Sequence, residues 1–309
     1  MPWNPVDLPD QRGRVHVITG ATAGIGYFAA EQLAGAGAHV VLASRSASKR
    51  ESARDAIRAQ VPGASVSTVA LDLASLDSVR SAATELAALE RVDGLFLNGG
   101  TMERAGGVTT VDGLPLMLGT HAVAGLALSA ELLPKLAETG RHAGVDARIV
   151  HASTGFVRRF RLDVDDITAR QRGFLRDYTH AKTVTELVAY ELDRRLRAGG
   201  LPVASIVTHP GVGVDARTPA RPGVYDPRTQ RRRNPFTPWA QGKDAAAWSG
   251  VRALTDPSAI GGQFFGPESG TRGTPVRLDP NPHTAHADPE RVARVWSQME
   301  ELAGASIAV

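Results

Sequence analysis

Tyr178 and Lys182 stand four residues apart in RDYTHAKTVTELVAYEL, Arg176 to Leu192. The stretch reads as a helix, and on a helix residues i and i+4 are surface neighbours. A tyrosine hydroxyl can hand a proton to a carbonyl oxygen or take one from an alcohol. Its ordinary pKa of about 10 makes the second role hard near neutral pH. An ammonium one turn away stabilises the phenolate and lowers that pKa, each unit corresponding to about 1.4 kcal/mol. The same spacing also suits a lysine that merely covers a packed ring. Lysine is scarce, however: it occurs only at 49, 135, 182 and 243, while arginine carries most of the positive charge.

A second chemical stretch is TGATAGIG, Thr19 to Gly26, which follows an apolar run directly. Gly20 permits a tight backbone path, Gly24 a close approach to a phosphate, and Gly26 close packing of the following helix. The helix start then offers free N–H groups and the positive end of its dipole to an anion. The spacing is Gly-x-x-x-Gly-x-Gly. Such a turn is weak evidence alone and stronger where it opens an alternating α/β chain.

The elements that must position these groups alternate regularly. Strands are expected at RVHVIT (14–19), AHVVLAS (38–44), SVSTVALD (65–72), DGLFLN (93–98), ARIVHAS (147–153) and PVASIVTH (202–209), with GQFFG (262–266) as a seventh. Between them lie amphipathic helices, one with Ser75 and Ser78 at its start and a long one over 114–138. Near-continuous apolar strands separated by helices predict a parallel sheet covered on both faces. No composition shift divides residues 1–309, so a single doubly wound α/β domain is expected. Two segments break the rhythm: a charged insertion at 156–177 and a Pro- and Arg-rich loop at 212–241, where Tyr225, Phe236, Pro238 and Trp239 could line an apolar pocket or simply tie the loop down. Residues 289–303 read as a terminal amphipathic helix.

TGATAGIG, the Tyr178/Lys182 pair and HPG (209–211) together resemble the short-chain dehydrogenase/reductase family, over about residues 13–266. The insertion before Tyr178 and DPSAIGGQFFGP are most similar to its retinol-dehydrogenase-like members. The resemblance implies a Rossmann-type domain with about seven parallel strands, NAD(P) as hydride carrier, and a small carbonyl or alcohol substrate. It implies nucleotide contacts from Gly20, Thr22, Ala23, Gly24, Ile25 and Gly26, from Asp72 and Leu73, from Asn98, Gly99 and Gly100, from Tyr178 and Lys182, and from Pro210, Gly211 and Val212. Asp72 equally suits the acid of a helix start. The second strand ends in Ser44 and Arg45, where an acid would hold a ribose diol; the guanidinium suits a 2′-phosphate. NADP(H) is therefore expected ahead of NAD(H), although Ala23 stands where many NADP users carry a basic residue. Thr154 in HASTG takes the place of the hydroxyl that polarises the substrate carbonyl, with Ser153 as the alternative. His121 in GTHAVAG stands where the family often has an asparagine in a proton relay; a buried structural histidine is the other reading. Pairing into dimers or tetramers through helices 114–138 and 178–197 is implied as possible.

The 309 residues carry a net charge of +3 and no cysteine, which excludes disulfides and thiolate metal sites. Histidine spacing suggests no metal centre. No basic face is interleaved with aromatics, so nucleic acid is not an expected partner, and Arg231–Arg233 reads as a solvated loop. No apolar run reaches the ~20 residues that span a bilayer, and the N-terminus lacks a signal-peptide pattern. A cytoplasmic protein is expected, and the abundance of Ala, Gly and Arg suggests bacterial coding. The rival to an enzyme is a nucleotide-sensing or scaffold protein on the same fold.

Overall fold

The apolar runs pair side by side because each carries too little polar side chain to face water on either side. In the computed structural model, which describes residues 3–226 and 237–307, they form β1 (Val15–Thr19), β2 (His39–Ser44), β3 (Val66–Ala70), β4 (Gly94–Leu97), β5 (Ala147–Ala152), β6 (Val203–Thr208) and β7 (Phe264–Pro267). These seven are parallel neighbours, and β8 (Pro275–Leu278) adds an antiparallel edge, giving the order β3-β2-β1-β4-β5-β6-β7-β8. The eighth strand, PVRL, was not expected. It is short, holds a proline and an exposed arginine, and pairs on one side only, which is where sheets tolerate proline.

Helices cover both faces. Val17, Val41, Leu95 and Ile149 point to a layer made by α3 (Leu76–Ala87), α5 (Ala124–Ala143), α7 (Phe174–Ala198) and α11 (Pro289–Ala303). Ile18, Val40, Leu42, Phe96 and Ile206 point the other way, to α1 (Gly24–Gly35), α2 (Ala47–Gln60) and α9 (Trp248–Thr255). Short helices α4 (Leu116–Leu118), α6 (Phe156–Arg159), α8 (Lys243–Ala246) and α10 (Pro282–Ala285) complete the chain. Local chemistry sets the ends: Ser75 caps α3 by accepting from the Ser78 N–H, and Asp288 caps α11 with Pro289 in its first turn.

Strand order reverses between β1 and β4, so a crevice opens at their carboxyl ends. Two findings modify the sequence reading. First, α4, a π-helical turn at Gly119–Val123 and α5 run on as one helix, Leu116–Ala143. This helix is long and apolar enough to cross a membrane, but 78% of its most apolar window is buried inside the fold, so it serves as a core helix. Second, α11 lies across α5 and α7, burying Val295, Trp296 and Met299 with the Arg195 guanidinium 4.2 Å from the Trp296 ring centre. Part of the helix surface on which pairing was expected therefore carries α11.

Candidate active site

The glycine turn is packed too tightly for side chains. A Cβ on Gly20 would lie 2.8 Å from the Gly99 Cα, and one on Gly26 would lie 2.6 Å from both Asn98 Nδ2 and the Gly20 carbonyl oxygen. Hydrogen bonds fix this contact: Asn98 Nδ2 donates to the Thr19 carbonyl, and the Gly99 N–H donates to Thr19 Oγ1. The ends of β1 and β4 thus form one unit. Above it, α1 starts at Ala23 with no side-chain cap and no acid in its first turn, so its N–H groups and dipole remain available to an anion. Thr22 Oγ1 lies 3.3 Å from Ser44 Oγ, which brings the turn to the end of β2. Arg45 is exposed beside it. Asp72 accepts from the Ala74 N–H in the turn before α3, whose cap is Ser75 and whose first-turn acid is Asp77, and Leu73 packs on Gly99. Gly211, at φ +68°, faces the Thr271 carbonyl, which accepts from the Val212 N–H.

At the head of this cradle a cavity of about 90 Å³ brings together Ile25, Asn98, His121, Ser153, Tyr178, Lys182 and Pro210. Ser153 and Thr154 sit at the end of β5, Tyr178 and Lys182 on α7, and their hydroxyls are used differently. The Thr154 hydroxyl bonds Tyr178 and favours its phenolate, whereas Ser153 Oγ donates to Glu186 Oε1 at 2.5 Å. Thr154 is thus the hydroxyl next to the tyrosine. Lys182 Nζ donates to the Ala152 carbonyl and lies 5.9 Å from the Tyr178 ring centre. The lysine was expected to lower the tyrosine pKa; in this geometry burial wins, and Tyr178 is pushed up to about 12. Burial also pulls Lys182 down to about 7, against the attraction of Glu186.

His121 sits in the π-helical turn, a distortion frequent at functional sites. Its ring meets the Tyr178 ring edge-on at 5.3 Å between centres. Nε2 lies 2.8 Å from the Thr101 carbonyl, which can only accept, so Nε2 carries the proton and Nδ1 is an acceptor. Nδ1 is buried without a partner. Burial, and then Lys182, hold the imidazole pKa well below its usual value. The ring fills the space beside Gly100, where a Cβ would collide with it. A neutral acceptor in the wall of the cavity is what the geometry provides.

Known proteins share the sequence pattern and fold of this chain. The family model for short chain dehydrogenase matches residues 14–153. Polyprenol dehydrogenase of Mus musculus is 32% identical over 308 residues, covering 98% of this chain and 88% of its own. The chain belongs to the short-chain dehydrogenase/reductase family. Retinol dehydrogenase 13 of Homo sapiens is 35% identical over 203 residues, 65% of this chain and 59% of the relative. An uncharacterised protein of Mycobacterium Paratuberculosis has the same fold over the full length of both chains, with 28% identity and a TM-score of 0.77.

Short-chain dehydrogenase/reductases use NAD(P)(H), and the residues here fit such a group: a glycine cradle that side chains would fill, and an uncapped helix start aimed across it. Three features escaped the sequence reading. Glu186, one helical turn beyond Lys182 on α7, accepts the Ser153 hydroxyl. Lys243 of α8 packs against Gly24 and pairs with Asp215 at 2.5 Å. A second cavity of about 200 Å³ opens beside the start of α7, walled by Leu116, Met117, Ile167, Phe174 and His180. Glu186 carries a legible signal, the i, i+4, i+8 series of Tyr178, Lys182 and Glu186. The other two depend on loop paths. Of the residues of the loop after β6, Tyr225 ties the loop down, buried with its hydroxyl donating to the Asp215 carbonyl, and Trp239 is exposed. Phe236 and Arg231–Arg233 lie outside the described residues.

Proposed function

We propose that the protein interconverts an alcohol and its carbonyl by hydride transfer, with NADP(H) ahead of NAD(H). The observation that carries this is that Tyr178 and Lys182 line one cavity at the head of the glycine cradle, with the Thr154 hydroxyl bonded to the tyrosine. The nicotinamide supplies or accepts the hydride. The chain's own residues handle the oxygen and its proton. Thr154 Oγ1 and the Tyr178 hydroxyl polarise the carbonyl oxygen, and Tyr178 gives it a proton or takes one from the alcohol. With its pKa pushed up by burial, Tyr178 is suited as found to donate, that is, to reduction. In oxidation Lys182 must remain charged to favour the phenolate, and its ammonium can also hold ribose hydroxyls. Ser153 is set aside as a positioning group on Glu186. His121 Nδ1 offers an acceptor for a water or ligand donor.

The NADP(H) preference is supported by the end of β2. Ser44 and Arg45 place a hydroxyl and an exposed guanidinium there and no carboxylate, and Arg50 donates to the Ser44 carbonyl. The names of the polyprenol and retinol relatives support an apolar alcohol or aldehyde as substrate. The cavity walled by Leu116, Met117, Ile167 and Phe174 would take its body. Rates of NADPH and NADH consumption across prenyl, aryl and alkyl aldehydes test the proposal: NADPH turnover with an apolar aldehyde is expected. Nucleotide binding with no turnover across the panel would favour a nucleotide-sensing role instead.

A further inference from the structure

We propose that Glu186 is a positioning residue that keeps Lys182 charged and draws the Ser153 hydroxyl away from the substrate. The inference rests on the proton-transfer role proposed above for Tyr178 and Lys182. Glu186 lies one helical turn beyond Lys182 and two beyond Tyr178, on the same face of α7. It is 1% exposed. Ser153 Oγ donates to its Oε1 at 2.5 Å, and Thr284 Oγ1, from α10, donates to its Oε2 at 2.7 Å. Both donors are neutral, so the buried carboxylate must find its compensating charge elsewhere.

Few charges are at hand. They are Lys182 on α7 and Arg158 from α6; Tyr190 of α7, its hydroxyl buried without a partner, is kept neutral by burial. His151 of β5 faces Lys182, and His209 faces Arg158, both held neutral by burial. Lys182 is in the mirror position. The residue is 3% exposed, and its ammonium donates to the Ala152 carbonyl, a neutral partner. A desolvated ammonium of this kind reverts to the amine unless an anion lies near it. Glu186 is that anion: it raises the lysine pKa against burial, while Ser153, Thr284, Arg158 and Lys182 pull the carboxyl back towards ionisation. The two groups titrate as a pair near neutral pH, each supporting the charge of the other. The second consequence concerns the hydroxyls at the end of β5. Because Ser153 is spent on Glu186, Thr154 is left to face the tyrosine.

The test compares wild type with Glu186→Gln in the full chain, following kcat/KM for alcohol oxidation with NADP+ from pH 6 to 9, the affinity for NADPH, and a 15N-lysine NMR titration. Removing the carboxylate charge lowers the lysine pKa. The alkaline limb of the profile should therefore move down by about one pH unit, with about a tenfold loss of rate above neutral pH. At the acid end of the range, where Lys182 is most protonated in both proteins, NADPH affinity should stay within about twofold (a factor worth under 0.5 kcal/mol), and Glu186→Asp should restore part of the limb. The lysine resonance should titrate at lower pH in the Gln variant. If that variant fails to fold, Thr284→Val is used: losing one donor makes Glu186 harder to ionise and should shift the limb the same way by less. A loss of rate independent of pH, or an unchanged lysine titration, would overturn the proposal. A wild-type protein inert towards every alcohol, with the lysine shift still present, would overturn the proton-transfer reading and leave the Glu186–Lys182 coupling standing.

Discussion

Replacing Gly26 with alanine tests the glycine cradle by a single methyl group. The new Cβ would stand 2.6 Å from Asn98 Nδ2 and 2.6 Å from the Gly20 carbonyl oxygen, where ordinary contacts begin at 3.4 Å. The Gly20 oxygen is backbone and cannot swing aside. Either α1 lifts off the sheet, or Asn98 moves and gives up its bond to the Thr19 carbonyl. Overpacking of this kind costs about 1–3 kcal/mol, and the lost bond adds about 1 kcal/mol. The total of about 2–4 kcal/mol should appear partly as a lower Tm and partly as weaker NADPH binding, up to several hundredfold if all of it falls on binding. Gly35→Ala at the other end of α1 is the control. Its Cβ would find nothing nearer than Val61 Cγ2 at 3.9 Å, so helix propensity should raise stability by up to about 1 kcal/mol. Isothermal titration with NADPH and scanning calorimetry on both variants read the two effects. If Gly26→Ala binds NADPH within about twofold of wild type at an unchanged Tm, the packing argument for the cradle is wrong.

Thr154→Ala should lower kcat by about 10²-fold, the usual range for losing a group that assists proton transfer. Ser153→Ala should spare kcat at its optimum and shift the pH profile; equal losses in both variants would contradict the division of labour at the end of β5. Arg45→Asp should exchange the preference from NADP(H) to NAD(H), read from the two nucleotide affinities, and an unchanged ratio would refute the 2′-phosphate role. His16, His151 and His209 are held neutral by burial, at about 4, about 3 and about 4. The unfolded chain protonates them near 6.5. Their contribution is therefore whole above pH 6.5 and lost as pH falls towards 4 and 3, by about 1.4 kcal/mol per pH unit for each. Glu186, raised to about 7, opposes this by one proton between its ordinary 4.5 and 7. A Tm that stays flat from pH 7.5 to 5 would show that these histidines are not buried as described.

The sheet was legible because strands covered on both faces must be apolar throughout, and Val17, Val41 and Leu95 satisfy this on one face as Ile18, Val40 and Phe96 do on the other. The glycine turn was legible for a similar reason: Gly20 and Gly26 stand where backbone meets backbone. β8 was not, since an edge strand carrying Pro275 and Arg277 has no distinctive pattern. The π-helical turn around His121 was hidden too, because one extra residue in a turn leaves helical periodicity almost intact. Reading Tyr178 beside Lys182 gave the right neighbours and the wrong balance of forces. Spacing along a helix says nothing of how deeply both groups are buried, nor that the Ala152 carbonyl holds the ammonium. Glu186 shows a different limit: helical spacing puts it on the face of Tyr178 and Lys182, but that Ser153 and Thr284 close over it is set by β5 and α10, far away in the sequence. The loop after β6 was read for its aromatics, yet Tyr225 turned inward and Trp239 outward.

The central claim is that Tyr178 moves the proton that accompanies hydride transfer. A stopped-flow single turnover of the NADPH-loaded enzyme with an apolar aldehyde, in wild type and Tyr178→Phe, tests it most directly. The account predicts that the variant binds NADPH as wild type does while the hydride-transfer step slows by 10²-fold or more, about 3 kcal/mol. Hydride transfer at the wild-type rate in Tyr178→Phe would contradict it.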